Sequence, residues 1–325
     1  KTENRIPDMN KTNPKTYSLC IVCHLVLMVL SSCAFDDELC ICPDRTHIEY
    51  WYAGNSSDNQ LPHYANNLRQ YLFDAEGRLL DTNMLRGDSL TAWEAKLPAG
   101  DYTITAWGNM ENSDIETTGN PQLGSLRLSA EQAGVPPGFR GNVGRLYYGT
   151  ATFTVEDGLP CRQRVYLSHA HALLSVTVRW MEDEERPEAG GTYRMQLKDI
   201  PARYDFIKGW ETDLPSGDGV YAIPGISNNT LVNHETKAAM TYDQEVEGQF
   251  TTFRYTGSTH QLWSLWRNGK QIVKELDLHK FFSSLPMNMN RNIKQEFDIL
   301  ISIYKDKITV TFASASDWSE GGVIG

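Results

Sequence analysis

FDILISIYKDKITVTF, residues 297–312, carries the clearest alternation in the chain. Phe297, Ile299, Ile301 and Ile303 fall on every second position. Lys305-Asp306 turns the chain, and Ile308, Val310 and Phe312 resume the same period. Neighbouring side chains along a strand point to opposite faces, so period 2 in β-branched and aromatic residues marks half-buried strands, here the two arms of a hairpin. The register predicts those seven residues on the core side. Asp298, Ser302, Lys307 and Thr309 should face outward, with Leu300 and Tyr304 interrupting the polar face.

The same pattern recurs along the chain. Tyr102-Thr103-Ile104-Thr105-Ala106-Trp107 sets Tyr, Ile and Ala on one face against Thr, Thr and Trp on the other. Asn268-Gly269 between Leu262–Trp266 and Gln271–Leu276 predicts a type I′ hairpin, whose two central residues need φ > 0. Ala75-Glu76-Gly77 likewise separates Leu68–Phe73 from Arg78–Leu80. Leu146–Val155, Val165–Leu167 and Leu173–Trp180 read as further strands. Helical pattern is confined to a turn or two in Leu126–Ala133 and a short helix in Leu276–Leu285 that Pro286 would stop. Many short strands with regular turn signals indicate an all-β chain built of β-sandwiches. Strand pattern lapses at Glu156–Pro160, so the expected domains are 45–160 and 161–318, with a tail over 319–325. Glu182–Glu188 reads as a solvated hairpin tip.

The beginning of the chain has a different character. Leu19–Leu30, LCIVCHLVLMVL, follows Lys11 and Lys15 and runs into Ser31, Ser32 and Cys33. A basic n-region, a short apolar h-region and small residues at its end make an export signal. The run falls short of the ~20 residues that a hydrocarbon core requires. Leu30-Ser31-Ser32-Cys33 resembles the bacterial lipobox, whose peptidase cuts before the cysteine. That resemblance implies a mature N-terminus at Cys33 carrying diacylglycerol and an N-acyl chain. An ordinary secretory signal meeting a chance cysteine is the alternative. Residues 1–32 are therefore read as a signal peptide, with Met9 as its expected start, and 33–44 as a lipidated linker.

The whole chain has a formal net charge of −11. Residues 1–32 hold four Lys/Arg and two Asp/Glu, so the rest stands at −13. Such a surface excludes nucleic acid as a partner and electrostatic docking to anionic lipid. Attachment would rest on acyl chains, each buried CH₂ contributing roughly 0.8 kcal/mol. Cys40, Cys42 and Cys161 remain after the signal and the lipidated cysteine. An odd count outside the cytoplasm suggests one disulfide and a spare thiol. Cys40-Ile41-Cys42 is too tight for an easy bridge, and the candidate pair is Cys42 with Cys161.

Catalytic motifs are absent from the sequence. It contains no G-x-S-x-G, H-E-x-x-H, G-x-x-x-x-G-K-[ST] or EF-hand loop, and Gly141-Asn142-Val143-Gly144 is too short to cradle a dinucleotide. No enzyme activity and no cofactor other than covalent lipid are expected. His169-Ala170-His171 puts two imidazoles on one strand face and could hold a metal, but two ligands fall short of a full shell. The expectation is an ordinary outer strand face and no metal. Trp210, Trp263 and Trp266 could stack a sugar, although aromatics in sandwiches more often pack. Asp88-Ser89-Leu90 fits a short O-glycosylation pattern and means little alone.

Several weak motifs occur in a telling order. Ala34-Phe35-Asp36-Asp37-Glu38 and Cys42-Pro43 precede Leu72-Phe73-Asp74-Ala75-Glu76-Gly77. Then come LPAGDYTITAWGN over 97–109, Leu146-Tyr147-Tyr148-Gly149, Ile200–Phe206, and Ile308–Phe312 before Asp317-Trp318. In this order they resemble the fimbrillin-associated anchor family, the FimB-type lipoproteins of Bacteroidota fimbriae, over about 33–318. The resemblance implies two tandem transthyretin-like Greek-key β-sandwich domains. It implies a subunit at the base of a fimbrium, lipid-anchored in the outer membrane and exposed at the cell surface. That subunit would limit shaft length and join a fimbrillin shaft subunit by strand addition. Asp36, Asp37 and Glu38 then look like a surface-export signal, with a solvated linker as the plain alternative. Cys40 and the His169/His171 pair are not features of the family. Two other functional readings stay open: a surface lipoprotein binding glycan or host protein, and an accessory or tip fimbrillin of the same fold.

Overall fold

The computed structural model describes residues 45–54, 56–112, 115–118, 127–130, 132–133, 138–139, 143–182, 185–201, 203–210, 219–227 and 242–313. In the first half the strands are β1 (Thr46–Trp51), β2 (Leu68–Asp74), β3 (Leu79–Leu85), β4 (Ala92–Ala95), β5 (Gly100–Gly108), β6 (Ile115–Thr118), β7 (Arg127–Ala130), β8 (Gln132–Ala133), β9 (Gly138–Phe139), β10 (Tyr147–Val155), β11 (Cys161–Tyr166) and β12 (Ser168–His169). The second half adds β13 (His171–Trp180), β14 (Thr192–Ile200), β15 (Arg203–Asp205), β16 (Gly219–Ser227), β17 (Glu245–Phe253), β18 (Leu262–Arg267), β19 (Lys270–Asp277), β20 (Glu296–Ile303) and β21 (Ile308–Phe312). No helix among the described residues is long and apolar enough to cross a membrane.

Two sheets enclose the first core: β11-β1-β4, and β12-β10-β5-β2-β3. Ile48 and Tyr50 of β1 meet Leu68 and Leu72 of β2, Ile104 and Ala106 of β5, Phe153 of β10 and Val165 of β11. A four-stranded sheet, β17-β13-β20-β21, and a six-stranded one, β19-β18-β14-β16-β9-β8, enclose the second core. There Leu174, Val176 and Val178 of β13 pack with Met195, Leu197, Phe250, Trp263, Leu265, Phe297, Ile299 and Ile301.

The five-stranded sheet is covered on both faces. Tyr102, Ile104 and Ala106 of β5 point into the first core, while Trp107, with Tyr71, Phe73 and Tyr148, joins the second. The alternation along 102–107 thus serves two cores at once.

Hairpin chemistry follows the sequence closely. Asn268 and Gly269 adopt φ of 49° and 80° between β18 and β19, and Gly77 at 76° closes β2 onto β3. In the 297–312 hairpin, Ile299 pairs with Phe312, Ile301 with Val310 and Ile303 with Ile308. Phe297, Ile299 and Ile301 are buried; Ile303, Val310 and Phe312 pack partly against the core.

Four expectations need correction. Ser302 is buried rather than outward, because β20 lies between β13 and β21 and is covered from both sides. Ile308 is 39% exposed, because β21 is an edge strand and Ile308 sits at its outer end beside the turn. The described part of Leu126–Ala133 is strand, not helix, with β7 bonded to both β6 and β15. Finally, Cys161–Tyr166 does not open the second half. β11 runs parallel to β1, from Thr46 opposite Cys161 to Trp51 opposite Tyr166, so its backbone groups complete the first half's sheet. The helix expected in 276–285 forms over Leu278–Ser283, with the Asp277 carboxylate accepting the His279 N–H at 3.0 Å as its N-cap.

Candidate functional site

Where the chain passes from β12 into β13, the two halves meet over a buried polar cluster. Its backbone is fixed by ladders on either side. Tyr147 of β10 pairs with His169, and His171 opens β13 opposite Phe253. Glu296 opens β20, level with Leu173 in a parallel register. His169 and His171 are both fully buried, which overturns the expected outer strand face. Only Ala170 separates them, and a break between β12 and β13 turns both rings inward, where they stack 4.2 Å apart. Tyr147 meets both rings edge-on, at 5.3 and 5.5 Å.

The hydrogen bonds assign the tautomers. The Gln295 N–H donates to His169 Nδ1 at 3.2 Å, so His169 carries its proton on Nε2 and gives it to the Tyr52 hydroxyl oxygen at 2.7 Å. His171 Nδ1–H donates to the Leu146 carbonyl at 2.7 Å. That leaves the Nε2 lone pair of His171 buried without a hydrogen-bond partner. Glu296 is half-buried, with Lys294 Nζ 2.9 Å and Arg145 Nη1 3.9 Å from its carboxylate oxygens. One ligating atom from each of His169, His171 and Glu296 lies within 4.8 Å of the other two.

Arg254 pins the cluster from the second half. It is fully buried. Nη1 donates to the His169 carbonyl at 2.9 Å, and Nη2 to the Met289 carbonyl at 2.9 Å and the Asn292 carbonyl at 2.5 Å. Its guanidinium lies 4.4 Å from the Trp210 ring centroid. Burial pushes it down to about 10, so it remains a cation at neutral pH. Gln295 continues the scaffold: Oε1 accepts the Tyr255 N–H and Nε2 donates to the Tyr255 carbonyl, each at 2.8 Å. Beside it, Trp107 Nε1–H donates to the Phe206 carbonyl at 3.1 Å, Tyr71 meets the Phe206 ring at 4.4 Å, and the Tyr148 hydroxyl bonds the Ile207 carbonyl.

Burial, reinforced by neighbouring His171 and Arg254, holds His169 well below the usual imidazole range. Burial likewise pushes His171 down to about 4, against the opposing pull of its bond to the Leu146 carbonyl. The unfolded chain protonates near 6.5 while the folded His171 stays neutral until about 4. Stability is therefore full above pH 6.5 and falls as the pH drops through that window. His171 alone contributes about 3 kcal/mol to the loss. Urea unfolding at pH 7 and at pH 4.5, with a chelator present, should give a lower midpoint at the acid value. Equal midpoints would contradict the buried neutral pair.

The other sequence-derived site residues fare differently. Leu30, Ser31, Ser32 and Cys33, the acidic Asp36, Asp37 and Glu38, and Cys42 all lie outside the described residues. Cys161 is a free, partly buried thiol whose Sγ sits 3.7 Å from the Thr154 carbonyl, and burial pushes it up from its usual range. The tryptophans do not form one platform. Trp263 is fully buried, Arg254 covers Trp210, and Arg194 stands 5.2 Å from Trp266. Tyr52, Arg254 and Glu296 escaped the sequence reading. The His-x-His spacing was visible, but its partners arrive from 117, 85 and about 125 residues away along the chain, a reach that no local pattern encodes.

The chain matches the model of the family described as Fimbrillin-A associated anchor proteins Mfa1 and Mfa2, over residues 40–320. Among curated proteins there is no match. Solved structures share the fold at low identity. The fimbrial anchor protein Mfa2 of Porphyromonas gingivalis is 19% identical with a TM-score of 0.58, over 82% of this chain and 94% of that one. A candidate polysaccharide-binding protein of Bacteroides thetaiotaomicron is 13% identical with a TM-score of 0.63, over 84% and 99%. A candidate adhesin of the same organism is 14% identical with a TM-score of 0.61, over 84% and 97%.

Proposed function

The chain belongs to the family of fimbrillin-A associated anchor proteins Mfa1 and Mfa2, and on that premise we propose that it is the lipid-anchored subunit at the base of a fimbrium. In this reading it holds the shaft to the outer membrane and limits its length. The observation that carries it is the match to the family over residues 40–320, nearly everything after the signal-like segment. Three further features support it. Leu30-Ser31-Ser32-Cys33 supplies a place for acyl chains, and two or more such chains suffice for stable anchoring. The negative charge removes electrostatic attraction to anionic lipid as an alternative tether. The sheets end in edge strands, among them β11, β4, β3, β17, β21 and β19, whose unpaired N–H and C=O groups suit addition of a strand from a fimbrillin. One such joint is all that an anchor needs.

Cys33→Ala tests the lipid part. The substituted chain should leave the detergent phase on phase separation and lose the mass of its acylated N-terminus. The same partitioning for both chains would refute lipidation at Cys33. Affinity capture of the tagged wild-type chain from outer membrane, followed by mass spectrometry, should recover a fimbrillin as the main partner.

A further inference from the structure

We propose that His171, His169 and Glu296 form a binding site for a divalent transition-metal ion, best suited to zinc, at the join between the two halves of the molecule. The proposal does not depend on the anchor reading. His171 Nε2 is buried without a hydrogen-bond partner, and one ligand atom from each of His169, His171 and Glu296 lies within 4.8 Å of the other two. A buried acceptor without a donor destabilises the fold, and a cation placed among these groups removes that cost.

The outer bonds suit metal ligation. A ligating histidine almost always donates its other ring N–H to a carbonyl, carboxylate or hydroxyl, which fixes the tautomer and aims the lone pair. His171 does this through Nδ1–H to the Leu146 carbonyl, and His169 through Nε2–H to the Tyr52 hydroxyl, each at 2.7 Å. His169 then ligates through Nδ1, giving up only the longer bond at 3.2 Å from the Gln295 N–H. The ring stack holds both imidazoles in place, and the Arg254–His169 carbonyl bond fixes the backbone beneath them.

Two imidazoles and one carboxylate without thiolate make a borderline donor set, suited to zinc and its transition-metal neighbours rather than to calcium or magnesium, which prefer all-oxygen shells. Donors around tetrahedral zinc at 2.0–2.1 Å stand about 3.4 Å apart. The three ligand atoms lie within 4.8 Å of one another, so a bound ion would draw all three side chains inward, the half-buried Glu296 away from Lys294 among them. A fourth position falls to water. Because β12 belongs to the first half's sheet while β13 and β20 belong to the second's, a bound ion would tie the two sheets together.

The test uses the purified full chain, stripped with chelator and titrated with Zn²⁺ alone, then with Co²⁺ as a spectroscopic probe. The expected result is one ion per chain, a raised melting temperature, and a cobalt spectrum without thiolate charge-transfer bands. Those bands would instead place the ion on cysteine. Glu296→Gln keeps shape and should lower zinc affinity by at least ~100-fold, beyond the 10–100-fold typical of outer-shell changes. His171→Gln should do the same, and if it fails to fold, Glu296→Gln decides. His260→Asn, in the separate stack with His279, should leave binding unchanged. No rise in melting temperature with zinc would overturn the proposal. Binding that survives Glu296→Gln would overturn it as well.

Discussion

Arg254→Met should lower stability by roughly 4 kcal/mol, although methionine matches the length of the buried stem. The loss comes from the carbonyl oxygens of His169 and Asn292, which would lose the Arg254 donor, while the Met289 carbonyl keeps the N–H of Gln295 Nε2 at 3.0 Å. Each orphaned buried acceptor costs about 1–3 kcal/mol, partly offset here because the cation no longer has to be desolvated. For a chain of this size the melting temperature should drop by about 6 °C. Arg254→Lys is the informative companion. It keeps the charge, but a single ammonium cannot fork across three carbonyls, so it should recover less than half of the loss. Thermal melts of the two variants check this, and a lysine variant as stable as wild type would show that charge rather than geometry matters.

Trp107→Ala should cost about 3–5 kcal/mol, as expected for removing a fully buried tryptophan. Its position makes the upper end of that range the expected one. The indole fills the space between β5 and the 204–210 segment, against Tyr148 at 4.6 Å and Phe206 at 5.8 Å, and its N–H is a partner of the Phe206 carbonyl. Trp107→Phe keeps most of the apolar area and loses the hydrogen bond, so it should cost about 1–2 kcal/mol. Denaturant unfolding orders the pair; equal costs would mean that the hydrogen bond dominates over packing.

Both residues show what the sequence could and could not reveal. Trp107 was legible as the odd member of an alternating strand, on the face opposite Tyr102, Ile104 and Ala106. Period 2 fixed that much, because it is a local property of the backbone. What covers the opposite face is a matter of topology, and nothing near Trp107 in the chain names Phe206. The hairpins were legible for the same local reason: Asn268-Gly269 and Gly77 supply the positive φ that their turns require. Ser302 and Ile308 were misplaced because burial depends on whether a strand is central or at an edge, and the pattern 297–312 is silent on its neighbours. Cys161–Tyr166 was assigned to the wrong half because a lapse in pattern at Glu156–Pro160 marks a turn, not a boundary; the strand after it returns to β1. The polar cluster was half legible. His169-x-His171 stood out, but its burial and its meeting with Glu296, Tyr52 and Arg254 arise only when β13, β20 and β1 come together.

If this chain fastens a fimbrium to its cell, the place where fimbriae are found when the chain is missing will show it. Fimbrillin should be quantified in washed cells and in culture supernatant for wild type, for a deletion strain, and for the deletion carrying Cys33→Ala. Both altered strains should shed most of their fimbriae into the medium, with longer shafts, and the wild-type chain should restore attachment. Fimbriae of ordinary length retained on the deletion strain would contradict it.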